Sequence, residues 1–408
     1  MSSDNIGKYI FSIIFLGGCF TFTLLSFNKT YHSVLNYCNE EKIMDISKSK
    51  DNISKINNII NESIVGRYKL IESYGELNKL LGKKEINGFK YVIDKDGYLN
   101  SGNFWANIHT IESEPLAVRV KKLSDDMEKK GTKTMVLGFP EKYKDDSSKN
   151  YDGIPYNNHQ YVMDEYLSYI RKYRIPYIDF RDTLDNSGLS YEEKYFKTDH
   201  HWKPEAAFEC FVNLIDNLNE KFDFNLDENN YYRNLDNYNI ENYTNMMLGS
   251  EGRSTGMNYA AAEDFNLIYP KDNNEYELYL NNGYEEWTYF GCHKEALMSY
   301  DPISLINKDK DNIYTNSLYD IYLHGIKSET KIKNNTNKNG LKVLFLRDSF
   351  ADPIAEFMAP LCSEIDMLWT KEYHGNIDEY IKKNNYDLVL VSFFPDDLNE
   401  EFFNFYKD

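Results

Sequence analysis

The feature that most limits the fold is an alternation of short apolar runs with amphipathic helical segments along much of the chain. Short apolar runs are typical of buried strands, and apolar residues three or four apart indicate a helix packed on one side. Strands separated by helices are typical of a parallel sheet in an α/β domain. We predict strands over residues 134–139, 175–180, 341–346, 365–369 and 388–394, and helices over residues 160–173, 204–218, 352–361 and 377–383.

Residues 222–340 interrupt this alternation. They are rich in Asn, Tyr and Asp, and Gly249, Gly252 and Gly256 lie close together among them. Such a composition favours loops and short strands over long helices. We therefore expect a main domain over residues 86–408, with an inserted subdomain of irregular and β structure at about 222–340.

The N-terminus contains an uncharged stretch from Tyr9 to Phe27, flanked by Lys8 and Lys29. A helix of this length spans roughly 28 Å, about one hydrocarbon core. We predict an uncleaved transmembrane anchor over residues 1–28, which binds the membrane through residues 9–27 and leaves the main domain extracytoplasmic. A cleaved signal peptide is one alternative, although no Ala-x-Ala-like site follows. A buried helix of a soluble protein is another.

Residues 29–85 are polar and helical in pattern. Ile53, Ile56, Ile60 and Ile64 recur at helical spacing and give one apolar stripe. We expect a stalk that lies on the main domain or pairs with a partner.

The overall charge excludes several classes of partner. The formal net charge is -19, so the chain lacks the excess of cations that neutralises the phosphates of nucleic acid. The same charge argues against docking on anionic lipid.

The five cysteines show neither a metal-ligand spacing nor a disulfide framework. No cofactor is expected.

Two short segments carry the candidate chemistry. Ser349 lies three residues past Leu346, at the carboxyl end of a predicted strand and just before a predicted helix capped by Asp352. In an extended stretch, Asp199 and His201 face one side and His200 faces the other. Asp199 could then accept a hydrogen bond from Nδ1 of His201 and leave Nε2 for the Ser349 hydroxyl, the arrangement of a serine triad.

Two alternatives stay open for these segments. Asp199, His200 and His201 could be ligands of a metal ion, but no other His or Cys has partner spacing. Ser349 could be only a turn or cap residue. The presence of both segments in one chain favours acyl or ester chemistry without a metal.

At these residues the chain resembles a known family. The block Asp199-His200-His201-Trp202 is similar to the signature of the bacterial DHHW proteins, which are related to the periplasmic alginate O-acetyltransferases of the SGNH hydrolase superfamily. Asp348-Ser349-Phe350 resembles the nucleophile block of that branch. Weaker resemblances to the same branch occur in the segments 94–99, 139–142 and 386–391.

The resemblance covers roughly residues 68–400 and implies an SGNH-like fold. Ordinary SGNH hydrolases place the serine first and the histidine last. Here Asp199 and His201 precede Ser349, which implies a circularly permuted parallel sheet. The backbone N–H of Ser349 is the expected first donor to the oxyanion.

The function implied by the resemblance is an extracytoplasmic O-acetyltransferase that acts on a cell-surface polysaccharide. Ser349 would carry the acetyl group, His201 would be base and then acid, and Asp199 would orient His201. Trp202, Arg347 and Tyr259 are expected to bind substrate, although Arg347 could instead anchor the turn. A multi-pass membrane acyltransferase would supply the acetyl group.

Two other functions fit the sequence. A carbohydrate acetylesterase uses the same triad and differs in whether water is excluded. A catalytically silent glycan-binding or assembly protein is the second, because several aromatic side chains of the inserted segment could stack on sugars: Tyr243, Tyr259, Trp287 and Tyr289.

Overall fold

The computed structural model describes residues 3–40, 50–102, 112–142 and 160–407. The chain divides into two compact units, Met1–Tyr74 and Gly75–Asp408. The elements are numbered below in chain order.

The first unit is helical. Helices α1 (Ser3–Glu40) and α2 (Lys50–Ser63) belong to it, and α3 (Arg67–Leu80) begins in it. The hydroxyl oxygens of Ser63 and Thr30 lie 3.0 Å apart, within hydrogen-bond distance, which joins α2 to α1. The stretch Gly7–Asn39 of α1 is long and apolar enough to cross a membrane, and its most apolar window is not buried within the protein. This exposure argues against the helix being part of a soluble core.

The second unit is built on a large mixed sheet. Among the described residues its strands run in the order β5-β4-β13-β11-β12-β10-β8-β9. The first five are parallel, and β10, β8 and β9 are antiparallel. Their bounds are β4 Lys133–Gly138, β5 Tyr177–Asp179, β8 Glu275–Asn281, β9 Glu286–Cys292, β10 Glu329–Asn334, β11 Leu341–Arg347, β12 Cys362–Trp369 and β13 Leu388–Phe393.

Two smaller sheets complete the strands of this unit in the described ranges. One has three strands, β1 (Glu85–Ile86), β2 (Tyr91–Ile93) and β3 (Leu99–Ser101). The other is the antiparallel pair β6 (Tyr238–Met247) and β7 (Glu263–Pro270). The predicted insertion is therefore irregular and β-rich, and three of its strands (β8, β9 and β10) extend the main sheet.

Helices separate the parallel strands, as the sequence pattern predicts. Their bounds are α4 Ser113–Glu128, α5 Gln160–Lys172, α6 Phe180–Asn186, α7 Tyr191–Lys194, α8 Pro204–Phe222, α9 Ser250–Thr255, α10 His293–Ala296, α11 Asp301–Lys308, α12 Ala351–Met358 and α13 Ile377–Lys383. Short 3-10 turns lie at Leu235–Asn237, Lys310–Tyr314, Leu318–Ile321, Ala359–Leu361 and Pro395–Asp397.

The core forms where these helices cover the sheet. Leu344 and Leu346 of β11 lie in one apolar cluster with residues of α4, α5 and α13, such as Val120, Met163 and Ile381. Helix α8 packs against α12, where the rings of Phe211 and Phe357 are 5.8 Å apart. Burial of these apolar side chains is the main source of stability for the sheet.

One local prediction is wrong. Asp352 does not cap the helix after the serine, because α12 begins at Ala351 with Phe350 at its N-cap position. Asp352 lies in the first turn and forms an ion pair with Arg347 instead. The Asp352 carboxylate lies beside the buried charge of Arg347 and is not free to cap the helix. The preference of Asp for N-cap positions does not predict this ion pair. The helix also ends at Met358, where a 3-10 turn follows.

Candidate active site

The candidate nucleophile lies on a tight turn at the carboxyl end of β11. Asp348 fixes this turn: one carboxylate oxygen accepts from the N–H of Phe350 over 2.9 Å, and the other accepts from the N–H of Phe394 over 2.6 Å. The second bond joins the turn to the end of β13, the neighbouring strand. Burial raises the pKa of Asp348 to about 7, although both backbone bonds and the charges of His201 and Arg347 act in the opposite direction.

Ser349, His201 and Asp199 meet at this turn. Nε2 of His201 lies 2.6 Å from Oγ of Ser349, and Nδ1 lies 2.5 Å from Oδ1 of Asp199. Both distances are those of strong hydrogen bonds. The structure thus brings the three predicted catalytic residues together in the geometry of a serine triad, with His201 in the middle.

The acid of this triad is tightly held. Oδ1 of Asp199 also accepts from the backbone N–H of His201 over 3.0 Å, and Oδ2 accepts from the backbone N–H of Ser250 over 2.7 Å. Burial alone would raise the pKa of Asp199, but the charges of His201 and His200 and the two hydrogen bonds from His201 hold it well below its ordinary value. Asp199 is therefore a carboxylate over the neutral range and can stabilise a positive charge on His201.

The prediction that His200 faces away from Asp199 and His201 is wrong, because residues 197–201 bend instead of running extended: Nδ1 of His200 lies 3.5 Å from Oδ1 of Asp199. Nδ1 of His200 lies 3.2 Å from the hydroxyl of Ser250, and 39% of the side chain is exposed. Its ring stands beside that of His201, with the centroids 3.9 Å apart. The hydrogen-bond partner of His200 is therefore Ser250, and not Ser349.

Aromatic rings fix the plane of the His201 imidazole. Tyr319 stacks on it with centroids 4.1 Å apart and planes inclined by 19°, and the ring of Phe350 lies 4.9 Å away. The hydroxyl of Tyr319 accepts from Nε1 of Trp202 over 3.0 Å. These two ring contacts restrict rotation of the His201 side chain away from Ser349. Tyr319 belongs to a 3-10 turn of the inserted segment, and no sequence motif identifies it.

The three residues expected to bind substrate all lie below the surface. Trp202 is fully buried against Phe139 and Phe350. Tyr259 is also buried, and its hydroxyl donates to the carbonyl of Lys83 over 3.0 Å. It packs in a separate apolar cluster around strands β1 to β3. Both residues support the fold here, and a direct contact with substrate stays a prediction.

Arg347 lies beneath the nucleophile turn. Its guanidinium is fully buried, 3.0 Å from the carboxylate of Asp352. Burial lowers the pKa of Arg347 from its ordinary value and raises that of Asp352 to about 6. The pair connects the last residue of β11 to the first turn of α12, on either side of Ser349. This position matches the role of an anchor for the turn.

A metal ion would compete with the triad for the same atoms. Ligand atoms of Asp199, His200 and His201 come within 4.8 Å of one another. Both ring nitrogens of His201 are already engaged, one by Asp199 and one by Ser349. Binding a metal through His201 would break one of these hydrogen bonds, so the residues present fit the triad better than a metal centre.

The turn also presents a donor for a developing negative charge. Within the residues that the structure describes, the backbone N–H of Ser349 donates to no protein group. It lies next to the N-terminus of α12, whose dipole favours negative charge nearby. A carbonyl carbon attacked by Oγ of Ser349 would place its oxygen within reach of this group.

The sequence and the fold are similar to those of known acetyltransferases and related proteins. Residues 110–233 match a family model described as the SGNH hydrolase-like domain of the acetyltransferase AlgX. PatB1 from Bacillus cereus, in a structure with a sulfonyl adduct, superposes with a TM-score of 0.60 at 20% identity, over 78% of this chain and 97% of PatB1. No curated protein matches the sequence.

A second solved structure carries the name of the predicted family. A DHHW family protein from Eubacterium siraeum DSM 15702 superposes with a TM-score of 0.55 at 16% identity, over 77% of this chain and 94% of that protein. The family match and this likeness confirm the resemblance that the motifs predict. With the parallel-rich sheet, they also confirm the fold class, an SGNH-like α/β domain. The β-rich segment inserted in it is seen in the structure itself.

Proposed function

We propose that this protein is a serine-dependent O-acetyltransferase whose active site is Ser349, His201 and Asp199. The observation that carries the proposal is the position of His201, with Nε2 2.6 Å from Oγ of Ser349 and Nδ1 2.5 Å from Asp199. The match to the domain of an acetyltransferase supports the same class of reaction.

The reaction would proceed in two halves. In the first, Nε2 of His201 takes the proton of Ser349 while Oγ attacks the acetyl carbonyl of the donor, and the leaving group departs with that proton. In the second, a hydroxyl of the acceptor gives its proton to His201 and attacks the acetyl-serine. Oγ leaves and recovers the proton from His201. Asp199 stabilises the imidazolium in both halves, and the N–H of Ser349 donates to the oxyanion.

The proposal also covers the acceptor of the acetyl group and the cellular location of the protein. We infer a cell-surface polysaccharide as acceptor and a multi-pass membrane acyltransferase as the source of acetyl groups. Helix α1 would anchor the chain in the membrane with the main domain extracytoplasmic, which its long apolar stretch supports. Protease added to intact cells should then digest the main domain, and the chain should fractionate with membranes.

An acetylesterase is the second candidate, because the same triad would pass the acetyl group to water. A silent glycan-binding protein fits less well, because a binding protein has no need for a histidine held between a carboxylate and a serine hydroxyl. The two enzymes differ only in the second half of the reaction. Acetyl transfer to an added oligosaccharide, measured against release of free acetate, separates them.

The first test is hydrolysis of an aryl acetate by the detergent-solubilised full chain, with Ser349→Ala as the matched variant. We expect release of the phenol by the wild type and its loss in the variant. A sulfonyl fluoride should label Ser349, as a sulfonyl adduct has been described for PatB1. Undiminished hydrolysis by Ser349→Ala would overturn the proposal.

A further inference from the structure

A buried ion pair lies directly behind the acid of the triad. Nζ of Lys142 donates to the backbone carbonyl of Asp199 over 2.6 Å and to a carboxylate oxygen of Glu251 over 2.8 Å. The side chains of Lys142 and Glu251 are only 2% and 6% exposed. Neither residue contacts Ser349 or the imidazole of His201 through a hydrogen bond in the described part of the chain.

The short segment that carries Glu251 also forms hydrogen bonds with the residue before Asp199. The N–H groups of Gly249 and Gly252 donate to the hydroxyl and the carbonyl of Thr198, over 3.0 and 2.9 Å. A Cβ atom added at Gly249 would lie 2.2 Å from Cβ of Asp199, so only glycine permits this approach. The glycine cluster of the inserted segment thus marks a site of close contact with the catalytic loop.

The location of Lys142 in the fold shows what its hydrogen bond to the carbonyl of Asp199 does. Ser349 is fixed by the central strand β11, whereas Asp199 lies in a loop outside the main sheet. Lys142 follows β4, which pairs with β13, the neighbour of β11. Its hydrogen bond to the carbonyl of Asp199 therefore ties the loop of the acid to the same rigid sheet that holds the nucleophile.

A purely structural role would not need these charges. Two ions removed from water carry a large desolvation penalty, and well-packed apolar residues of similar volume are commonly as stabilising or more so. Burial raises the pKa of Glu251 to about 7 even though Lys142 counteracts this. An ion pair kept in this environment, in contact with the acid of a triad, points to a function in placing that acid.

We propose that Lys142 and Glu251 are positioning residues, which set the Asp199 carboxylate at the distance from His201 that the triad requires. This inference rests on the proposed function, since it assigns a role within the same reaction. Lys142 acts through the backbone of Asp199, and Glu251 holds the ammonium group in place and balances its charge.

The test compares paired substitutions that remove the charges together. Lys142→Met leaves Glu251 as an unpaired buried charge and endangers folding, so the main variant is Lys142→Met with Glu251→Gln. The matched control is Lys172→Met with Glu114→Gln, a pair at the same 2.8 Å distance that is largely exposed and lies on α5 and α4. Thermal unfolding establishes that each variant is folded at the assay temperature.

We expect the main variant to lower kcat for an aryl acetate by about 10- to 100-fold, by analogy with residues that orient the ligands of a metal ion. KM should change by less than about twofold, because no contact with substrate is removed. The control pair should leave both constants unchanged. Glu251→Gln alone, which keeps the ammonium group of Lys142, should give a smaller loss and serves if the double variant does not fold.

A second readout separates positioning from general damage. In the background of Asp199→Asn the carboxylate is already lost, so the main variant should lower kcat by less than about threefold further, as residues that act as a unit are non-additive. An unchanged kcat in the folded variant, or an equal loss in both backgrounds, would overturn the inference. Activity that survives Ser349→Ala would instead overturn the proposed function, so the two failures are distinguishable.

Discussion

Nε2 of His201 lies 2.6 Å from Oγ of Ser349, although the two residues are 148 positions apart in the chain. The inserted segment lies between them in sequence and contributes Ser250, which binds Asp199, and Tyr319, which stacks on His201. The insertion is therefore part of the site. Its contacts restrict the histidine and the acid, while the parallel sheet fixes the serine.

Removal of the nucleophile or the base should abolish most activity. We expect Ser349→Ala and His201→Ala each to lower kcat/KM for an aryl acetate by about 10³-fold or more, because neither partner functions alone. The double variant should be scarcely worse than either single one. Initial rates at saturating and subsaturating substrate check this. Multiplication of the two losses in the double variant would contradict a triad.

Asp199→Asn and His200→Ala provide the graded comparison for the same assay. The first should reduce activity less than loss of Ser349 or His201, because it disturbs the orientation of the imidazole but leaves nucleophile and base present. The second should retain most activity, since the side chain of His200 is 39% exposed and its hydrogen-bond partner is Ser250, not Ser349. A large loss of activity in His200→Ala and a small one in His201→Ala would show that His200, and not His201, is the base.

Chelation should leave the activity unchanged. The ligand atoms of Asp199, His200 and His201 come close enough to hold a metal ion, yet both ring nitrogens of His201 are engaged in the triad. Aryl acetate hydrolysis after dialysis against a chelator, with and without added zinc, measures this. Activity that disappears with the chelator, returns with zinc and survives Ser349→Ala would favour a metal centre.

The sequence predicts those strands and helices that are set by the local spacing of apolar residues. The strand at 341–347 and the helix at 377–383 follow from apolar periodicity, and the place of Ser349 follows from its strand. Tyr319 and Glu251 could not be foreseen, because Glu251 meets Lys142 across 109 positions and no motif links them. The sequence pattern predicts Asp352 as a helix cap because it does not reveal the buried charge of Arg347 beside this residue.

The hydroxyl of Tyr319 should matter more for stability than for catalysis. Tyr319→Phe keeps the ring on His201 but removes the acceptor for the buried Nε1–H of Trp202, a loss of about 1–3 kcal/mol for an unsatisfied polar group. We expect this decrease in the free energy of unfolding in urea, with kcat nearly unchanged. Tyr319→Leu removes the stacked ring as well and should lower kcat. Equal kcat for both variants would show that stacking does not position His201.

The last prediction concerns a buried histidine outside the triad. His293 lies between two carboxylates, with Nε2 3.0 Å from Glu356 and Nδ1 3.6 Å from Asp272. Burial would lower the pKa of His293, but both carboxylates prevail and raise it to about 9. Glu356 belongs to α12, the helix that follows Ser349, so this contact joins the inserted segment to the nucleophile helix.

A raised pKa in the folded state stabilises the protein when the group is protonated in both states. This contribution is fully present below the ordinary pKa of histidine, about 6.5, and is lost as the pH rises through about 9. His293→Gln should therefore be destabilised against the wild type at pH 6, and the difference should shrink toward pH 9.5. Urea unfolding at several pH values measures it, with the exposed His374→Gln as control. A difference that does not vary with pH would mean that His293 is not charged in the folded protein.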